Sequence, residues 1–226
     1  MRIGICGGTF NPIHYGHLRT AEETAEMLSL DRVIFMPSGI TPFDKPDLVS
    51  ARSRYKMVKA AIEENPIFSI SSIEVKTRGR SYTVDTLMRL RNRYKKSELF
   101  FIIGMDAFLD LPEWKGPDRI VRTANMIIIS RPGSSFYGLR SSPYLEGVPE
   151  RVLKDLDKGK IEMFEFDISM TQKGYLCNVT GLDISASKIR KLIMSGKEVT
   201  YLLPDSVKSY IISNDLYHGH KIRTNR

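Results

Sequence analysis

Cysteine is scarce: Cys6 and Cys177 are the only two among 226 residues. That is too few for a disulfide framework in a chain already long enough to bury a core. No stretch approaches the roughly 18 uncharged apolar residues of a membrane span. Met1 to Gly8 reach glycine after a few apolar side chains and lack the apolar core of a signal peptide. The expectation is a reduced, cytoplasmic chain with no membrane partner. Two phosphate-binding fingerprints are missing as well, since neither Gly-x-Gly-x-x-Gly nor Gly-Lys-Ser/Thr occurs. Tryptophan occurs once, at Trp114, and there is no internal repeat or low-complexity tract.

Basic residues are in excess, 34 Lys and Arg against 26 Asp and Glu for a net charge of +8. Such a balance points to an anion: nucleic acid, a membrane surface or a phosphorylated small molecule. The apolar share of 42% suits a packed globular core. Short apolar runs at Arg2 to Cys6, Val33 to Met36, Phe68 to Val75, Leu99 to Ile103, Met126 to Ile129 and Ile161 to Ile168 read as strands. Helical spacing marks the segments after Gly16, Ala51 to Glu64, Thr83 to Lys96, Ser185 to Ser195 and Asp205 to Ser213. Residues 133–160, rich in Ser, Gly, Pro and Tyr, read as an excursion. Alternating strands and helices predict an α/β fold: a Rossmann-like, doubly wound parallel sheet with helices on both faces and a small C-terminal helical extension. The expected organisation is a nucleotide-binding domain over 1–181, the helical extension over 182–216 packed on it, and a flexible tail over 217–226.

The chemistry is concentrated in GGTFNPIHYGHL, residues 7–18, between the first strand and the first helix. Doubly wound folds bind phosphates there, on the amides and the positive dipole end of the helix. Gly7 and Gly8 read as the turn that admits a ligand to the backbone of Gly8, Thr9 and Phe10. His14 and His17, half of the chain's four histidines, present imidazole N–H donors on the same side. A zinc site is disfavoured because no Cys or third His stands at ligand spacing.

The string His14-Tyr15-Gly16-His17 resembles the His-x-Gly-His motif of the nucleotidyltransferase superfamily. The wider string is similar to that of bacterial nicotinate mononucleotide adenylyltransferases. Three further segments match in order: Arg80 to Thr86 (RSYTVDT), Gly104-Met105-Asp106 with Leu111 to Lys115 (LPEWK), and Ile184 to Arg190 (ISASKIR). The resemblance implies transfer of AMP from ATP, with Mg²⁺, to nicotinate mononucleotide, giving deamido-NAD and pyrophosphate by direct in-line displacement. The attacking phosphate is already ionised at neutral pH, so alignment and charge stabilisation suffice and no general base is needed. On this resemblance His14, His17 and Arg190 are the catalytic candidates.

Ser185 and Ser187 at a helix start, with Arg190 one turn on, form a second phosphate clamp. Gly104 and Asp106 sit at a strand end where a carboxylate accepts from ribose hydroxyls. Arg131 and Lys45 are further candidates for the nucleotide or its phosphates. Tyr82, Thr83 and Trp114 are assigned to the nicotinate nucleotide. Thr83 as N-cap leaves helix amides free for the carboxylate, which favours the acid over the amide, and Asp85 is expected to face away. Magnesium is expected to ride on the triphosphate, with no protein ligand assigned.

Three departures from the family pattern bear on the site. Asn11 stands where Asp is common, Pro42-Phe43-Asp44-Lys45 replaces Pro-Pro-His-Lys, and Ala186 removes one hydroxyl from the clamp. The rival substrates are nicotinamide mononucleotide and pantetheine phosphate, the latter served by shorter enzymes without the RSYTVDT and Trp114 segments. An RNA-binding module is the rival from another class, but the basic residues are scattered and not interleaved with aromatics, so no nucleic-acid partner is expected. Trp114, Tyr137 and Tyr144 leave a homo-oligomer open.

Overall fold

Apart from the polar residue that opens each of them, the central strands are apolar, and both of their faces are covered. In the computed structural model, which describes residues 1–40 and 47–217, seven strands form one sheet. They are β1 (Arg2–Gly8), β2 (Arg32–Pro37), β3 (Phe68–Ile70), β4 (Glu98–Gly104), β5 (Asn125–Ile129), β6 (Met163–Asp167) and β7 (Lys173–Cys177). Their order is β3-β2-β1-β4-β5-β7-β6. Every neighbouring pair is parallel except β6 and β7, which form an antiparallel edge. The helices are α1 (Tyr15–Met27), α2 (Ala51–Ile62), α3 (Thr83–Arg93), α4 (Met105–Leu109), α5 (Pro117–Thr123), α6 (Glu150–Asp157), α7 (Ala186–Met194) and α8 (Asp205–Ser213).

Side chains alternate across the sheet into two cores. Ile3, Ile5, Phe101, Ile103, Met126 and Ile128 pack with Leu87 and Leu90 of α3, Ile120 of α5 and Leu153 and Leu156 of α6. Val33, Phe35, Phe100, Ile102 and Ile127 pack with Ala21 and Ala25 of α1, Met57 and Val58 of α2, Ile189 and Ile193 of α7 and Val207 and Ile211 of α8. This two-sided burial is what a mostly parallel sheet requires. The doubly wound Rossmann-like sheet read from the sequence is therefore present, with one antiparallel edge strand added. Among the described residues no helix is long and apolar enough to cross a membrane.

Several boundaries differ from the sequence reading. Gly7 and Gly8 do not form the turn: β1 runs through them, pairing Gly7 with Met36 and Gly8 with Pro37. The strand expected over Phe68 to Val75 ends at Ile70. There Ser71 Oγ accepts from Ile73 N and a turn follows, Lys76 N donating to Ser72 O, which carries Glu74 into the interior. The excursion over 133–160 contains α6, an amphipathic helix of two turns that buries Leu153 and Leu156, so the segment is not irregular throughout. Lys173 to Cys177, interrupted by Gly174, forms β7. Gly174 is required because the Phe166 ring of β6 lies where its Cβ would be. Trp114, Tyr137 and Tyr144 are partly buried against the chain's own core.

Candidate active site

The carboxyl ends of β1 and β4, where the strand order reverses direction, open the crevice in which such sheets hold ligands. From the end of β1 the chain passes through Thr9 to Ile13 into α1. Phe10 is buried in a left-handed conformation, φ +48°. Its ring supports Phe35 at 5.9 Å and stands edge-on to His17 at 5.1 Å between centroids. His14 is the N-cap of α1, and its imidazole stacks on that of His17 at 3.7 Å. The backbone N–H of His14 donates to His17 Nδ1 at 3.3 Å, so the His17 proton resides on Nε2. His14 Nδ1 lies over Gly16, at the positive end of α1, which favours a lone pair there and leaves Nε2–H as its donor. Burial, with Arg131 adding, lowers the pKa of His14 to about 4. His17 is held well below its ordinary range by burial, then by His14 and Arg131. The pair is thus two neutral donors at neutral pH.

Arg190, in the second turn of α7, reaches the same loop. Its Nη1 donates to the main-chain oxygen of Asn11 at 2.8 Å, and Nη2 lies 3.4 Å from Ser187 Oγ and 3.9 Å from Asp47. Arg190 Nε, His14 Nδ1 and Ser81 Oγ are the buried polar side-chain atoms without a partner among the described residues. Arg190 Nε belongs to the guanidinium that reaches this loop, and an unsatisfied buried group of this kind marks where a polar ligand is missing. Ser185, expected at the clamp through its hydroxyl, is the N-cap of α7 and accepts from Lys188 N at 3.1 Å, so its oxygen is already engaged.

Arg54 is a functional-site neighbour that the sequence reading missed. It is 1% exposed and donates to Thr9 O at 2.8 Å, Ser38 Oγ at 3.1 Å, Gly39 O at 2.9 Å and Val49 O at 3.2 Å. Burial lowers its pKa, while Tyr217 and Glu74 act the other way. Its partners come from three separate segments, and nothing in its own stretch of α2 marks it except a basic residue at a core position of the helix, between Ala51 and Val58.

On the far side of the crevice Asp106 and Arg131, assigned separately from sequence, form one ion pair, Arg131 Nε to Asp106 Oδ1 at 3.1 Å. Gly104 makes room for them: a Cβ there would stand 2.5 Å from Arg131 Nε and 2.6 Å from Asp106 Oδ1. A cavity of about 220 Å³ lined by Ser130, Arg131, Pro132, Asn178, Val179 and Gly181 adjoins this pair.

The N-cap of α3 is Tyr82, not Thr83, which is the first helical residue. Tyr82 supplies no capping side-chain bond, so the first-turn amides gain no partner from it. Asp85 faces Lys115, 3.0 Å away, and Lys115 Nζ also stands 4.3 Å over the Tyr82 ring. Gly116 packs against Val84, which brings the segment bearing Trp114 over the start of α3. Buried Glu74 accepts from Thr86 Oγ1 at 2.9 Å, and burial raises its pKa. Lys45, with Pro42, Phe43 and Asp44, lies outside the described residues.

A reversed-order parallel sheet that aims neutral imidazoles and a tethered guanidinium at one crevice defines a nucleotide-handling α/β transferase. The cytidylyltransferase-like family model matches residues 5–192. A protein of Citrifermentans bemidjiense named "probable nicotinate-nucleotide adenylyltransferase" is 39% identical, over 96% of this chain and 98% of that one. One of the same name from Geotalea daltonii is 40% identical, over 96% and 99%. The chain belongs to the nicotinate-nucleotide adenylyltransferases of the cytidylyltransferase-like family. Its fold is similar to that of the Plasmodium falciparum nicotinic acid mononucleotide adenylyltransferase solved in complex with APC, with a TM-score of 0.68, 19% identity and 96% of each chain covered. The same enzyme complexed with NaAD gives a TM-score of 0.69, again at 19% identity, with 96% of this chain and 97% of that one covered.

Proposed function

We propose that this protein transfers AMP from ATP to the 5′-phosphate of nicotinate mononucleotide, forming deamido-NAD and pyrophosphate. The observation that carries the reading is the 2.8 Å bond from Arg190 to Asn11 O, which tethers the C-terminal guanidinium to the loop that presents His14 and His17. An oxygen of the nucleotide phosphate attacks the α-phosphorus, the bond to the bridging oxygen of the β-phosphate breaks, and pyrophosphate departs with the electron pair. His14 and His17 donate through Nε2 to oxygens on which charge builds, and Arg190 offers its unpartnered edge to the same phosphates. Neutral histidines suit this work, because no proton has to be lost or gained for them to donate.

Among the described residues no three His, Cys, Asp or Glu side chains gather to hold a metal. We propose that magnesium enters as the ATP complex, its oxygen ligands coming from the triphosphate and water. Ribose hydroxyls are assigned to Asp106, with Arg131 holding that carboxylate, and the adenine to the adjoining cavity. The amides at the start of α3 favour a carboxylate on the pyridine ring over an uncharged amide, whereas the cation of Lys115 is already matched by Asp85. Pyrophosphate release from MgATP, followed with nicotinate or nicotinamide mononucleotide, tests this. Higher kcat/KM with the acid is expected; equal or higher efficiency with the amide overturns the acid selectivity, and no release with either overturns the activity.

A further inference from the structure

Tyr217 lies beyond α8, at the position where the sequence reading begins a flexible tail. Instead it is folded against the glycine-rich loop. Its backbone is left-handed, φ +63°, a conformation that a tyrosine keeps only when its surroundings hold it. Its hydroxyl donates to Asn11 Oδ1 at 2.7 Å. Burial raises the pKa of the phenol against the opposing influence of the Arg190 and Arg54 guanidiniums, so it remains a donor at every working pH.

That donor decides how Asn11 is oriented. Asn11 is 5% exposed, and its Oδ1 also accepts from Val49 N at 3.3 Å. With two donors fixing the oxygen, Nδ2 is the atom that donates to Asp47 O at 2.8 Å. An aspartate here could not make that last bond, which gives the Asn at this position a physical role. The main-chain oxygen of the same residue holds Arg190 Nη1. Among the described residues Arg190 makes no other bond shorter than 3.4 Å, so the direction of its guanidinium depends on where Asn11 sits.

We propose that Tyr217 is a positioning residue for adenylyl transfer: through Asn11 it holds the Arg190 guanidinium in the orientation that receives a phosphate of ATP. This rests on the reading of Arg190 as the second phosphate clamp. The hydroxyl of Tyr217 touches no reacting atom. It acts, together with the bonds to Asp47 and Val49, by anchoring Asn11 and with it the main-chain oxygen that holds Arg190 Nη1.

A double-mutant cycle on ATP affinity tests it, with MgATP titrated calorimetrically into wild type, Tyr217→Phe, Arg190→Lys and the double variant. Separate KM values for ATP and for nicotinate mononucleotide are measured alongside. Arg190→Lys is expected to weaken ATP binding. Tyr217→Phe is expected to weaken it roughly three- to tenfold, the range for one lost hydrogen bond. The KM for nicotinate mononucleotide should stay within about twofold, and the Tyr217→Phe effect should shrink below about twofold in the Arg190→Lys background, as coupled residues require. An equal loss in both backgrounds, unchanged ATP affinity, or a fall in kcat alone with both KM values constant overturns the positioning role. Arg190→Lys with undiminished ATP affinity overturns the clamp itself, so failure of the premise is distinguishable from failure of the inference.

Discussion

His17 illustrates how one residue's function is set by its neighbours. Its Nδ1 is occupied by the backbone of His14, its ring is held between His14 and Phe10, and only Nε2–H is left to act. Removing such a preorganised donor costs about two to three powers of ten in turnover. His17→Ala is therefore expected to lower kcat by that amount while its circular dichroism stays native; near-normal turnover would remove His17 from the mechanism. His14, His17 and Arg190 could be named as candidates from the sequence because each lies in a short local string. Arg54 and Tyr217 were not, since their partners Thr9 and Asn11 are 45 and 206 residues away. Sequence spacing says nothing about contacts of that range.

At the scale of the element, α1 is shaped by what its first turn must avoid. A Cβ on Gly16 would stand 3.0 Å from His14 Nδ1 and 3.1 Å from its Cε1, so the glycine is there for the imidazole and not for the helix. Alanine at this position favours the helix by up to about 1 kcal/mol yet pushes the His14 ring by a few tenths of an ångström. Gly16→Ala is expected to leave the melting temperature equal or higher while lowering kcat/KM about tenfold, since small misplacements of a catalytic group are costly. Activity and stability measured on one preparation check the opposite signs. The element pattern also explains which parts of the fold could be read. β1, β2, β4 and β5 are uninterrupted apolar runs, and α7 and α8 are amphipathic with clear starts. The short α4 and α5 bury too few positions to show a period. β3 stops early because Glu74 is drawn inward to Thr86, a tertiary bond that no local propensity reports.

For the whole molecule, the buried histidines make stability depend on pH with a definite sign. In the unfolded chain a histidine takes up a proton near pH 6.5, whereas His14 in the fold does so only near 4. Between those values unfolding binds a proton, so stability falls as pH falls, and above about 6.5 the contribution is complete. The difference amounts to roughly 3 kcal/mol across the window. Thermal denaturation from pH 7 to pH 4.5 is expected to show a declining melting temperature, with a shallower slope in His14→Asn; identical slopes would remove His14 as a source. The net charge of +8 is mostly solvated surface, and only a few cations, Arg190 and Arg131 foremost, stand at the crevice where the proposed reaction would bring its anionic substrates.

The bonds that join Asn11 to Arg190 and to Tyr217 span 179 and 206 positions of the chain. Contacts of that order form late, because the entropy of closing so long a segment has to be met first. During synthesis the histidine pair leaves the ribosome long before Arg190 and Tyr217, the groups that reach back to its loop. On the proposed function, a chain truncated before α7 lacks the Arg190 guanidinium that meets the histidine loop, and it is expected to release no pyrophosphate from MgATP whatever its sheet has achieved.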